Sequence, residues 1–326
     1  MQKSAQVQLA HWLIGLNTDQ LPDLGLPSLV YPQTHMPPVW QTYLQTYQLA
    51  QATESAHEYA FGWQRIQTEH ASYQILRQRW QPAQPRACVL ICHGYYDHTG
   101  LYAEVIDFAL KQGLAVECFD LPGHGLSSGR RASIRCFSEY QHILQAILAD
   151  LPTADQPLFA LGQSTGAAIL TQHLLEVAPS PWQHISLISP LVRPVNWRQI
   201  RWLWRTLSPW VTRVPRVFKA NSHQASFVDF LQQDPLQSKH VDVAWVGALI
   251  AWVDWVTQVP AQTQVPVLLV QGDADQTVDW RFNLPVLAQQ VGAKNPVIIA
   301  GARHHLVNES PAYRAPLWEA LAQAWR

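Results

Sequence analysis

The pentapeptide Gly162-Gln163-Ser164-Thr165-Gly166 carries the clearest chemical signal in the chain. It follows the apolar run 158–161 and opens a helical pattern over 167–177. A serine between strand and helix, with glycine two places away on either side, fits a sharp turn that presents the hydroxyl as a nucleophile. The turn leaves little room for larger flanking side chains, and the amide after the serine faces the same space. At its ordinary pKa a serine hydroxyl is a poor nucleophile. Such a site therefore needs a base, and an acid that orients the base.

Loops at the carboxyl ends of parallel strands gather active groups. Two of them follow in the required order of serine, acid, histidine. The run 267–270 leads into Gln271-Gly272-Asp273-Ala274-Asp275, and the run 297–300 into Gly301-Ala302-Arg303-His304-His305. By spacing alone, Asp275 competes with Asp273, which directly follows Gly272 and fits a turn-shaping role. It also competes with Asp279, which precedes a helical stretch at Trp280 and fits an N-cap. His304 likewise competes with His305. A third loop, His93-Gly94-Tyr95-Tyr96-Asp97-His98, follows the run 88–92 where a second oxyanion donor is expected. The backbone N–H groups of Tyr95 and Thr165 are the natural pair. His93, Asp97 and His98 are also metal-ligating types, but an activated serine needs no metal, and no metal or other cofactor is expected. A fourth loop, Asp120 to Gly129, reads as scaffold despite His124.

These loops require a particular frame. From residue 87 short apolar runs alternate with amphipathic segments: strands over 88–92, 115–119, 158–161 and 185–188, helices over 101–112, 137–151 and 167–177. That rhythm predicts an α/β fold, a mostly parallel sheet with helices on both faces. Residues 59–80 predict an antiparallel hairpin at the sheet edge. The rhythm breaks after Pro190. Residues 193–260 show helical patterns and no clear strand, and read as a helical cap inserted after the sixth strand. It resumes with strands over 267–270 and 297–300 and helices over 284–291 and 312–325. The core is then 56–192 with 261–326. Residues 1–55 form a Gln- and Pro-rich N-terminal extension with a helix near 7–16 and no assigned role.

The chain has 326 residues, 48% of them hydrophobic, and a formal net charge of -1. This is a globular composition, and the charge gives no reason to expect a nucleic-acid partner. The four cysteines have no metal-site spacing and read as buried small hydrophobes in a reducing compartment. The run 243–253, about eleven residues, is too short to span a bilayer and reads as a buried helix. No secretory signal is evident, so a cytoplasmic location is expected. From Arg193 to Lys219 there are seven basic residues and no acidic one, interleaved with Trp197, Trp202, Trp204 and Trp210. Such a segment suits the polar–apolar boundary of a membrane or phospholipid, with peripheral contact through the cap. It equally suits a solvated helix whose tryptophans pack inward. Tyr96, Trp197, Arg201 and Arg205 are the candidate substrate contacts.

The segments H-G-Y-Y-D-H, D-L-P-G-H-G-L-S-S-G, G-Q-S-T-G, G-D-A-D and A-R-H-H-L-V-N-E occur in this order. Together they resemble the monoacylglycerol lipase and lysophospholipase (serine aminopeptidase-like) group of α/β-hydrolases, from about residue 60 to the C-terminus. The resemblance implies an α/β-hydrolase fold and a Ser164, Asp275, His304 triad. Asp275 is the last position of G-x-x-D, and His304 stands five residues before Glu309. The residue after H-G, Tyr95, would be the first oxyanion donor. It is usually small in this group, so its ring is expected to narrow the acyl entrance. Asn221-Ser222 and Asp234-Pro235-Leu236 look like the group's cap. The implied activity is hydrolysis of lipid carboxylic esters, of lysophospholipid or monoacylglycerol type, through an acyl-enzyme. A general carboxylesterase or thioesterase is the alternative. A proline-iminopeptidase-like peptidase, which would need acidic cap residues, and a non-catalytic ligand-binding member stand behind it. Oligomeric state is not read from the sequence.

Overall fold

The computed structural model describes residue 36 and residues 38–151, 156–262 and 265–326. The helix expected near 7–16 lies outside the described residues. Among the described residues, eight strands form one sheet in the order β1-β2-β4-β3-β5-β6-β9-β10. The strands are β1 Glu58–Gln67, β2 Ser72–Gln81, β3 Ala87–Cys92, β4 Leu114–Phe119, β5 Leu158–Gln163, β6 His184–Ile188, β9 Val267–Gly272 and β10 Val297–Ile299. β1 and β2 form the antiparallel hairpin expected at the sheet edge, and β2 joins β4 antiparallel. From β4 to β10 every pairing is parallel.

The central strands are continuous apolar runs because both faces of the sheet are covered. β3 shows the alternation. Cys88, Leu90 and Cys92 belong to one core with α4 (Phe137–Ala149), α5 (Thr165–Glu176) and α9 (Trp280–Val291). Val89 and Ile91 belong to the other, with α1 (Pro38–Thr46), α3 (Ala103–Lys111) and α10 (Pro311–Ala324). Residues 38–55, which the sequence reading leaves in the N-terminal extension, thus build α1 and α2 (Ala50–Ser55) on the second core. Trp40, Tyr43, Leu44 and Tyr47 are all buried there, at the i, i+3, i+4, i+7 spacing of one helix face. Trp40 stacks on Phe61 of β1 at 4.3 Å and donates from Nε1 to Tyr59 Oη at 3.0 Å.

Between β6 and β9 the chain leaves the sheet. This insertion contains α6 (Trp197–Leu207), α7 (Ala225–Gln233) and α8 (Val243–Val256). The apolar run 243–253 is indeed a helix, with Trp245, Leu249, Trp252 and Val253 buried. The expectation of no strand here is corrected: β7 (Arg213–Pro215) and β8 (His240–Asp242) pair antiparallel. Each is three residues long and one holds a proline, so neither produces a readable alternation. α6 lies on α8 because position 247 is glycine. A Cβ there would meet the Trp204 ring at 2.8 Å. Among the described residues, no helix is long and apolar enough to cross a membrane.

Candidate active site

Ser164 sits between β5 and α5 with φ 53° and ψ -110°, a conformation costly for any residue with a Cβ. The neighbouring glycines permit the turn. A Cβ on Gly162 would lie 2.6 Å from the Ala167 nitrogen, and one on Gly166 would run into the Cys92 carbonyl. The Ser164 amide donates to Ile188 O of β6 at 2.9 Å, which ties the turn to the sheet.

The loops after β9 and β10 bring Asp275 and His304 together. His304 Nδ1 donates to Asp275 Oδ2 at 2.7 Å. The carboxylate accepts three further bonds, from Gln271 Nε2 at 2.9 Å and from the amides of Thr277 at 2.7 Å and Val278 at 3.2 Å. Burial opposes ionisation of Asp275, but the facing imidazole and these donors outweigh it and hold its pKa below the usual carboxylate range. Burial likewise disfavours imidazolium at His304, and the Asp275 charge outweighs it, raising the pKa above the usual imidazole value. With Nδ1–H directed at the carboxylate, Nε2 is left to act as a base.

The rival residues have other partners. Asp273 Oδ1 accepts from the Gly301 amide at 2.6 Å. Asp279 stands at the N-cap of α9, yet its side chain makes no cap bond there and instead pairs with Arg193 at 2.7 Å. His305 points the opposite way from its neighbour, with Nε2 3.1 Å from Asp97 Oδ2. His124 Nδ1 bonds its own loop at Pro122 O, 2.9 Å away. The three side chains of metal-ligating type in the loop after β3 are each engaged separately. His93 Nε2 accepts from the Leu121 amide, Asp97 faces His305, and His98 Nε2 lies 2.9 Å from Asp234.

Ser164, His304, Tyr95 and Thr165 line one cavity of about 300 Å³. Among the described residues the Tyr95 amide has no hydrogen-bond partner, and Thr165 opens α5, where the first N–H groups lack intrahelical acceptors. The Tyr95 ring lies along the wall, stacked on Trp245 at 3.7 Å, with its hydroxyl donating to Ala132 O at 2.6 Å. Leu191, Ile200, Val246, Leu249 and Val278 supply an apolar side.

Of the candidate substrate contacts, Tyr96 lines this cavity. Trp197 instead belongs to the core, Arg201 pairs with Asp254 at 3.5 Å, and Arg205 is exposed on α6. None of these three lines the cavity, because the helix turns its basic face outward. Arg216 and Lys219 line it instead. They come from the end of the same basic stretch, and only the return of the chain through β7 and β8 brings them inward. Gln271 could have been suspected from its place before G-x-x-D, but its bond to Asp275 had no sequence signal. Nor did the pairing of Asp97 with His305.

Solved structures share the fold of this chain. The monoacylglycerol lipase of Paleococcus ferrophilus superposes with a TM-score of 0.66 at 21% identity, covering 76% of this chain and 97% of that one. A family model described as serine aminopeptidase, S33, matches residues 83–311, and the chain belongs to that family. It is 30% identical over 247 residues to the monoglyceride lipase of Homo sapiens, covering 71% of this chain and 80% of that protein. It is 26% identical over 210 residues to phospholipase YtpA of Bacillus subtilis, covering 61% and 80%. The chain is a serine hydrolase of the monoglyceride lipase and esterase kind.

Proposed function

We propose that the chain hydrolyses carboxylic esters of monoacyl lipids, of monoacylglycerol or lysophospholipid type, through an acyl-enzyme on Ser164. The observation that carries this reading is the 2.7 Å bond from His304 to Asp275 at a cavity that also holds Ser164 on its strained turn. Ser164 Oγ attacks the ester carbonyl while His304 Nε2 takes its proton. The amides of Tyr95 and Thr165 meet the negative oxygen of the tetrahedral intermediate. As the intermediate collapses, His304 protonates the departing alcohol. It then takes a proton from water, which attacks the acyl-enzyme, releases the fatty acid and restores the serine. No step uses a cofactor.

The apolar side of the cavity suits an acyl chain, and the relatives named for lipid esters support a lipid substrate. The insertion between β6 and β9 acts as a cap over the site. Trp202, Trp210 and Val217 on it are 65%, 79% and 77% exposed, beside the exposed Arg198 and Arg205. That mixture suits shallow contact with a lipid surface, in keeping with a cytoplasmic enzyme working at a membrane. A peptidase reading is less well supported. Holding a substrate ammonium needs a free carboxylate, and Asp97, the carboxylate lining the cavity, is taken up by His305 and Tyr102.

A fluorophosphonate probe should label Ser164 alone, as read by mass spectrometry, and Ser164→Ala should lower turnover about 10⁴-fold or more. On a panel of monoacylglycerols, lysophospholipids, p-nitrophenyl esters and acyl-thioesters, the monoacyl lipids should be cleaved best. An adduct elsewhere, or a preference for thioesters, would overturn the reading.

A further inference from the structure

The cavity around Ser164 has a cationic corner that ester hydrolysis by itself does not require. The Arg216 guanidinium lies 3.8 Å from the centre of the Tyr96 ring and 4.3 Å from that of Phe218. Its Nη1 donates to Gln237 Oε1 at 2.7 Å and to Ser238 O at 3.3 Å. Gln237 Nε2 in turn donates to Tyr96 O at 2.8 Å. Tyr96 directly follows Tyr95 and has a left-handed φ of 72°. The cation is thus fixed in place beside the loop that supplies the proposed oxyanion amide. Among the described residues, its Nε and Nη2 donate to nothing. These two N–H groups form the side of the guanidinium fork that matches two oxygens of a phosphate. Lys219 is exposed on the cavity lining nearby. The carboxylate of that lining, Asp97, is turned to His305 and Tyr102, whereas among the described residues neither Arg216 nor Lys219 has a carboxylate partner.

We propose that Arg216 and Lys219 form a subsite for a phosphate group carried on the alcohol side of the scissile ester. The proposal rests on ester hydrolysis at Ser164 and narrows its substrate class to monoacyl esters of a phosphorylated polyol, preferred over neutral monoacylglycerols. The phosphate belongs to the alcohol side because the apolar residues Leu191, Ile200, Val246 and Leu249 suit the acyl chain, and a fatty chain gains nothing beside two cations. In a glycerophosphate ester only six bonds separate the carbonyl carbon from phosphorus, so one ligand can reach both the oxyanion loop and the guanidinium packed on it.

The test is calorimetric binding to the Ser164→Ala protein of two inert ethers with the same chain, octylglycerol and octylglycerol phosphate, each below its micelle concentration. The phosphate ligand should bind at least about tenfold more tightly, the scale of one charge-assisted bidentate contact. Arg216→Gln should remove most of that preference. Arg216→Lys, which keeps charge without the fork, should restore part of it. Lys219→Glu, at an exposed position that the fold does not depend on, should weaken the phosphate ligand selectively. Equal binding of the two ethers, no measurable binding of the phosphate ether, or equal losses for both ligands in the variants would overturn the proposal. Ethers are not cleaved, so this outcome is independent of turnover. Hydrolysis of the matching octanoyl esters by the wild-type chain tests the Ser164 reading separately.

Discussion

The His304 imidazole lies between two opposed influences, burial that disfavours its charge and the Asp275 carboxylate that favours it more. A base must be neutral to accept the serine proton, so activity should rise with pH through an ionisation above the ordinary imidazole value of about 6.5. Asp275→Asn removes the raising charge. Turnover should fall about 10⁴-fold as the imidazole loses its tautomer, and the residual acid limb should move to lower pH. A pH profile of kcat/KM on a soluble ester reads both effects. Asp273→Asn should leave the profile in place, since that side chain reaches the Gly301 amide and not His304. If Asp273→Asn were the damaging change, the roles of the two carboxylates would be reversed. At this scale the sequence was legible for the turn at Ser164, where the flanking glycines mark a tight passage from strand to helix. It was not legible for Gln271 or Arg216. Their roles come from bonds to side chains 4 and 21 positions away, and nothing in the local pattern signals those bonds.

Among the elements, the insertion between β6 and β9 meets the core at a buried carboxylate. Asp234, just after α7, accepts from Tyr47 of α1 at 2.7 Å and from the Leu236 amide, and lies 2.9 Å from His98 in the loop after β3. Burial opposes both charges of the Asp234–His98 pair. Their mutual attraction outweighs it, lowering the Asp234 pKa and raising that of His98. The lowered carboxylate contributes stability above its unfolded pKa and loses it as pH falls through the folded value. The raised imidazole contributes fully below its unfolded pKa and loses it as pH rises through the folded value. The pair is therefore strongest between about pH 4 and 6.5. Asp234→Asn should cost about 3 kcal/mol there, with the deficit shrinking above that window. Thermal melts of both proteins across pH would show it, and a deficit independent of pH would mean the pair is not ionised. The parallel strands could be read from the sequence because burial on both faces makes each an unbroken apolar run. The same logic hid β7 and β8, which are short and only partly buried. The apolar face of α1 was present in the sequence, at positions 40, 43, 44 and 47, but it lay within a Gln- and Pro-rich stretch.

Over the whole molecule, a net charge of -1 conceals a local excess of cations on the cap. Counting residues overstated that excess. Of the seven basic side chains, Arg193, Arg201 and Arg213 face Asp279, Asp254 and Asp242, and Arg216 and Lys219 line the cavity. Arg198 and Arg205 remain on the outer face with Trp202 and Trp210. Each exposed cation near an anionic membrane contributes about 1 kcal/mol, so binding to anionic vesicles should exceed binding to neutral ones by roughly 2 kcal/mol. Vesicle sedimentation should show the difference vanishing in about 0.5 M salt, and in the double variant Arg198→Glu, Arg205→Glu. Partitioning indifferent to lipid charge would leave the tryptophans as the whole of the contact.

The sheet also carries its own record of whether the molecule is folded. Cys88, Cys92 and Cys118 are buried on the adjacent strands β3 and β4, and burial pushes their thiols up, that of Cys88 to about 12. Cys136 is partly exposed. A thiol reagent attacks the thiolate and must reach it. In native buffer the chain should therefore take up one alkyl group promptly and the other three together, at the rate at which the central strands separate. Intact-mass spectra would then pass from one adduct to four with nothing between. Species with two or three adducts would show that β3 and β4 part before the rest of the molecule does.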